Sequence, residues 1–372
     1  MASKRSEQLS KQRQIYEKDL DDLEHQIAIC QPFPPVNLLR QKEFFEDKIR
    51  ECDSAIGGTR EQTALNAGDH FLKEMAPFIK ELVGRFQTHF NRPNEEKISA
   101  YLKQFKTNRR IALALQLIQK IYFVDDAKIG DIFREFYFQK LSPDLRKKAV
   151  FTGLGGPKDS SYLINYLCSK ALDEKEKREI RFQEIKDICR ARASNDTVVI
   201  FLDDNIGSGK QSVRIFEEWV GLAKGEHHYV GRLKDDEINW LRGSKLMYFV
   251  LIGFEEGMNS LRKELGRYGF SIEIQPAVRT REDEHCFDAT SPVFTNAIDR
   301  VDACEMTRTI GYDLLKDKKW SDPLRKERSL GYGNSQKLIV FAYNTPTCTL
   351  PILWKHGFYD GREWMPLFPR RG

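Results

Sequence analysis

Over the first 140 or so positions apolar residues recur at helical spacing; from about residue 149 they gather into short unbroken runs separated by glycine-rich turns. Leu9, Tyr16, Leu20, Leu23, Ile27 and Cys30 mark a charged helix over 5–30, which Gln31-Pro32-Phe33-Pro34-Pro35 ends. Leu38, Phe45, Ile49, Cys52 and Ile56 mark a second helix that stops at Gly57-Gly58. The two predict a helical hairpin whose apolar stripes need cover, from this chain or from a partner. Helical spacing continues from about Leu65 to Phe90, kinked or broken at Pro77. Residues 94–141 read as three more helices, carried by Ile98 to Phe105, Ile111 to Ile121 and Ile129 to Leu141.

The texture then changes. Ala149 to Leu154 predicts a strand running into Gly155-Gly156-Pro157-Lys158-Asp159-Ser160-Ser161, with a helix from Tyr162. Leu172 to Ala193 reads as one long charged helix. Val198 to Leu202 predicts a strand buried on both faces, and a helix follows over Val213 to Leu222. Further strands are expected at Lys245–Phe254, Phe270–Ile274 and Leu338–Tyr343, with helices over Met258–Leu265 and Ala297–Leu315. This alternation predicts an α/β fold: a mostly parallel sheet with helices on both faces, preceded by an all-helical N-terminal region. The expected divisions are a coiled-coil-like hairpin over 1–60, a helical, helix-turn-helix-like module over 61–145, and the α/β domain over 146–372.

Candidate chemistry concentrates where the 198–202 strand ends. Asp203 and Asp204 follow the apolar run, and Asn205-Ile206-Gly207-Ser208-Gly209-Lys210-Gln211 leads into the next helix. Glycines allow a tight turn whose amides point into one concavity at a helix N-terminus, a favourable place for a phosphate. Two adjacent carboxylates suit hydroxyl donors instead, such as the two free hydroxyls of a ribose. A ribose 5-phosphate matches both halves. The rival P-loop reading requires G-x-x-x-x-G-K-[ST]; here Asp204 stands where its first glycine belongs and Gln211 where its hydroxyl belongs.

Composition narrows the setting. Hydrophobic residues at 40% and charged residues at 31% describe a chain with a proper core, and the net charge of +5 does not by itself argue for nucleic acid. Lys and Arg do outnumber Asp and Glu between Arg85 and Lys148, and Lys103, Lys106, Arg109 and Arg110 cluster at one connection, which would suit a phosphate backbone. Seven scattered cysteines without a C-x-x-C pair indicate free thiols and no zinc site. No apolar run is long enough to span a bilayer, and the first residues do not resemble a signal peptide, so no membrane partner and a cytoplasmic location are expected.

Residues Val199 to Gly209 resemble the signature loop of the type I phosphoribosyltransferases, with Ser208 in place of the usual threonine and departures at Asn205, Gly207 and Gln211. The tail is similar to something narrower. Gly331-Tyr332-Gly333-Asn334, a strand, Asn344-Thr345-Pro346 and Leu350-Pro351-Ile352-Leu353-Trp354 look like the phosphoribosyltransferase-like effector domain of prokaryotic conflict systems, in several cases encoded beside retron reverse transcriptases. That resemblance covers about residues 85–368. It implies binding of 5-phosphoribosyl 1-diphosphate or a nucleotide, with chemistry at the ribose C1 and a Mg2+ ion bridging diphosphate and ribose oxygens. Asp203 and Asp204 would hold the ribose hydroxyls, and Ile206, Gly207, Ser208, Gly209, Lys210 and Gln211 the 5-phosphate. Gly156, Lys158, Asp159 and Ser160 would hold the diphosphate, and Trp354 is a candidate to stack on a base. The implied setting is antiphage defence, with the helical half docking on a nucleic acid or reverse transcriptase complex. Members of the wider family carry a mobile catalytic loop where this chain predicts the helix over 172–193, which leaves a non-catalytic nucleotide sensor as the alternative.

Overall fold

The computed structural model describes residues 2–29, 45–46, 48–49, 52, 71–155, 159–191, 196–223, 231–281 and 284–371. Two compact units divide them, one over 1–77 with 105–111 and the other over 78–104 with 112–372. In the first, Ala2–Ile29 is a single helix. The Tyr16 ring meets the Phe45 ring at 6.2 Å between centroids. The connection predicted at 31–35 and most of the second predicted helix lie outside the described residues.

The second unit is built on a parallel five-stranded sheet. Nine strands are described, in chain order β1 (Tyr122–Val124), β2 (Ala149–Gly153), β3 (Arg181–Phe182), β4 (Val198–Ile206), β5 (Lys245–Phe254), β6 (Ile272–Thr280), β7 (Ile339–Phe341), β8 (Gly357–Tyr359) and β9 (Arg362–Trp364). The main sheet runs β3-β2-β4-β5-β6, with all pairings parallel. β1 and β7 form a parallel pair, and β8 and β9 an antiparallel hairpin. The two central strands are apolar on both faces because each face has its own core. Val198, Ile200 and Leu202 pack with Phe133, Phe136, Phe151 and Phe249 on one side. Val199 and Phe201 pack with Phe216, Trp219, Tyr248 and Met258 on the other. The predicted α/β class is therefore the observed one.

Several local expectations change. The helix predicted over 172–193 is interrupted: Glu174–Glu179 starts at an Asp173 capping box, β3 then pairs with Val150 and Phe151, and Ile185–Ala191 follows. Sheet pairing outweighs helical spacing at those two residues, since the Gln183 N–H also finds the Phe151 carbonyl at 3.0 Å. β6 reaches Thr280 rather than stopping at Ile274. It is an edge strand, so Pro276 sits in it without breaking the sheet. β7 is shorter than predicted, because Phe341 and Asn344 exchange backbone hydrogen bonds and turn the chain.

The three helices predicted in 94–141 are present as Glu95–Lys103, Asn108–Gln119 and Asp126–Glu135, the first and last capped by Asn94 and Asp125. Within the sheet-bearing unit the segment is stitched to the C-terminal tail. Tyr101 donates to the Ile352 carbonyl at 3.3 Å, and the Gln104 amide to the Met365 carbonyl at 2.9 Å. β1, which helical spacing concealed, pairs with β7. Lys106, Arg109 and Arg110 are exposed. Among the described residues no helix is long and apolar enough to cross a membrane.

Candidate active site

β4 carries both aspartates because it runs further than its apolar core. Asp203, Asn205 and Ile206 still pair with Val250, Ile252 and Gly253, since β5 extends to Phe254 and supplies partners. The expected turn is therefore confined to Gly207-Ser208-Gly209, and the next helix begins at Lys210, three residues before its first predicted apolar position. Gly209 has φ +72°, a conformation that favours glycine. A Cβ there would also lie 2.8 Å from the Gly257 carbonyl oxygen. In return, a Cβ on Gly257, in the helix Glu255–Arg267, would lie 1.6 Å from the Gly207 carbonyl oxygen. Two glycines in adjacent loop and helix thus allow the turn to press against the helix that follows β5.

Strand alternation sends Asp203 and Asp204 toward opposite faces. Tyr248 of β5 reaches Asp203 from one, its hydroxyl 2.6 Å from Oδ2, and is itself 3.1 Å from the Ser212 hydroxyl. Tyr343 reaches Asp204 from the other, its hydroxyl 3.0 Å from Oδ2. Ser160, at the N-terminus of the helix Ser160–Lys170, joins them: its hydroxyl is 3.0 Å from Asp204 Oδ1 and 3.5 Å from Asp203 Oδ1. The Asp204 N–H donates to Asp203 Oδ1 at 2.9 Å.

Burial, then the neighbouring Asp204, pushes the Asp203 carboxyl well above the usual carboxylate range; the Tyr248 hydrogen bond opposes this. Burial also raises Asp204, against the hydrogen bonds from Ser160 and Tyr343. Both tyrosine hydroxyls are held protonated, by burial first and then by the adjacent carboxylates. Among the described residues, the hydrogen-bond partners of the pair are neutral hydroxyls and amides. The arrangement accepts hydroxyl donors and favours retention of a proton between two carboxylates.

Other predicted residues fall in different places. Ser208 and Gly207 are half-buried within the turn, and Lys210 and Gln211 are exposed on the first turn of the helix. Ser160 was expected to hold a diphosphate; the structure joins it to the acid pair. Asp159 is the N-cap residue of the Ser160 helix, and a Cβ on Gly155 would meet its carboxylate at 2.2 Å. Gly156 and Lys158 lie outside the described residues. Trp354 ends a short helix with its indole N–H donating to the Thr349 carbonyl at 2.8 Å, an anchoring bond within the tail.

Nothing local in the sequence marks Tyr248 and Tyr343 as partners of the acid pair, or Ser212 as a partner of Tyr248. A phenol inside an otherwise apolar buried strand does signal a missing partner, since a covered hydroxyl needs one. That partner lies 45 residues away from Tyr248, and Asp204 lies 139 from Tyr343.

A cleft of about 700 Å³ opens at the carboxyl ends of β5 and β6, floored by Ile252, Val278 and Ile339 and edged by Thr280, His285 and Gln336. Its position follows from the sheet: Ile252 pairs with Asn205, the residue after Asp204. Ligands of parallel sheets bind at these strand ends.

Among known proteins, no curated protein and no solved structure matches the chain. A family model does, over residues 98–370, which take in the whole sheet, the acid pair and the tail. The chain therefore belongs to the PRTase-CE family and carries a phosphoribosyltransferase-type domain.

Proposed function

We propose that this protein acts on 5-phosphoribosyl 1-diphosphate or a nucleotide at the ribose C1, as a phosphoribosyltransferase-like effector of bacterial antiphage defence working in the cytoplasm. The observation that carries the reading is the acid pair, whose acceptor oxygens are held by hydroxyls at the carboxyl end of the central strand. Asp203 and Asp204 accept the ribose hydroxyls, and the amides and side chains of Gly207 to Gln211 take the 5-phosphate. Gly156, Lys158 and Asp159, which precede Ser160 in the chain, would hold the leaving diphosphate, and the cleft at the ends of β5 and β6 would receive the acceptor. A proton retained by the pair gives it a group able to exchange protons with substrate oxygens.

The carboxylates also fit Mg2+, a cation that prefers hard oxygens, but only jointly with oxygens of the substrate. No group of three or more His, Cys, Asp and Glu among the described residues holds a metal alone. Asp203 and Asp204 would contribute the protein oxygens, and the ion would supply charge neutralisation of the diphosphate.

Incubation with 5-phosphoribosyl 1-diphosphate, Mg2+ and a nucleotide pool, read by mass spectrometry, should show diphosphate release and one new product. An unchanged pool would contradict the assignment. The alternative, a nucleotide-sensing and partner-binding module, is favoured by one feature: short helices and β3 occupy much of the interval where a mobile loop would be expected. Ligand-induced thermal stabilisation without product would select it. Under either reading the N-terminal unit is proposed to dock on a reverse transcriptase complex or other nucleic acid, and deletion of residues 1–60 should release that partner.

A further inference from the structure

Each carboxylate oxygen of Asp204 already accepts one hydroxyl, Ser160 on Oδ1 and Tyr343 on Oδ2. The two tyrosines at the pair are not equivalent. Tyr248 is fully buried, lies on β5 of the main sheet and is braced by Ser212. Tyr343 is only partly covered and comes from outside that sheet. It sits in the tight turn after β7, which is closed by the Phe341 N–H on the Asn344 carbonyl at 2.9 Å and by the reverse bond at 3.2 Å. Its ring stacks on Phe341 at 5.4 Å and 21°, so rotation of the ring edge leaves that packing partner in place. The segment before that turn, through Leu338 and Ile339, lines the cleft at the ends of β5 and β6.

We infer that Tyr343 is a displaceable hydroxyl that occupies the place of a ribose hydroxyl on Asp204, so that a phosphorylated sugar enters by exchanging with it. This rests on the phosphoribosyl reading above. Exchange of one hydroxyl for another on the same carboxylate contributes little net affinity, and the phosphate and the rest of the ligand must drive it. Ring and turn together make Tyr343 a specificity residue: a ligand without a hydroxyl at that position leaves the tyrosine in place and gains nothing from Asp204.

The test is titration calorimetry of ribose 5-phosphate into the full-length chain and its Tyr343→Phe variant, with melting curves for both. Without the internal hydroxyl, Oδ2 of Asp204 loses its donor among the described residues until the sugar arrives. The variant should therefore bind about tenfold more tightly, the effect of one hydrogen bond to a charged group. It should also melt lower when free and gain more from ligand than the parent. Equal or weaker binding by the variant, with the parent still binding, overturns the exchange and leaves the phosphoribosyl reading standing. Absence of binding in both removes that reading and the exchange with it. A second measurement does not depend on the variant's folding. In the parent labelled with 3-fluorotyrosine, the fluorine resonance of residue 343 should shift on saturation with ribose 5-phosphate, and an unmoved resonance at saturation overturns the proposal.

Discussion

Lys337 and the acid pair are both ionisable groups buried at the carboxyl end of the sheet, but the chain surrounds them differently. Lys337 directs its ammonium to the Thr280 hydroxyl at 3.1 Å, the Arg281 carbonyl at 2.7 Å and the Glu284 carbonyl, and lies 5.2 Å from the Phe254 ring centroid. An ammonium has three donors, and these three oxygens match them. The result pins the segment after β6 to the one before β7. Asp203 and Asp204 are instead held, among the described residues, by neutral hydroxyls that can exchange for those of a ligand. A complete set of complementary partners marks a charge used for architecture. An incomplete one marks a charge kept in readiness, at some cost in stability.

The largest effect expected from this contrast is on chemistry. Asp203→Asn with Asp204→Asn removes the electrostatic grip on the ribose and should lower turnover by about 3–4 kcal/mol of transition-state stabilisation, measured as product formation. Activity equal to the parent would erase the distinction drawn here.

His89 sharpens the comparison as a third buried ionisable group. Its Nδ1 accepts the Asn91 N–H at 3.1 Å, and its Nε2 has no partner among the described residues; the Phe90 and Phe368 rings pack against it. Burial, followed by Arg371 and Lys97, pushes its pKa down to about 4. The unfolded chain takes up this proton near pH 6.5, so the stability gained by a neutral imidazole is intact above that pH and is lost as pH falls toward 4. The loss should be on the order of 3 kcal/mol across the window, read by urea denaturation, and His89→Phe should flatten it.

Lys337→Met leaves the Thr280, Arg281 and Glu284 oxygens without their donor and should cost roughly 2 kcal/mol in the same denaturation assay. Asp203→Asn should do the reverse. The folded-state pKa of Asp203 is raised, so its contribution favours folding at low pH and is lost as pH rises through the folded value. A neutral amide removes that penalty at pH 7, and the melting temperature should rise. A fall in melting temperature would place Asp203 with Lys337 among the architectural charges.

How much of this was legible in the sequence follows from the range of each interaction. The apolar runs of β4 and β5 announced buried parallel strands, and Gly207 with Gly209 announced the turn, because both signals are local. The continuation of β4 through Ile206 was hidden, since it depends on the length of β5 rather than on the residues of β4. Arg181-Phe182 escaped notice inside a helical pattern because two residues carry no period of their own. The grip of Tyr248 and Tyr343 on the acid pair could not be read locally at all; it exists only once β5 and the tail are folded beside β4. Gly257 belongs to the same class, its importance visible only in the nearness of the Gly207 carbonyl.

The most direct measurement of the central claim is equilibrium binding of 5-phosphoribosyl 1-diphosphate, with Mg2+, to the parent and to the Asp203→Asn, Asp204→Asn double variant. Saturable binding by the parent, weakened about a hundredfold or more in a variant that remains folded, is the predicted result. Equal affinity in the two, or no binding by the parent, would contradict the assignment of the acid pair as the ribose grip.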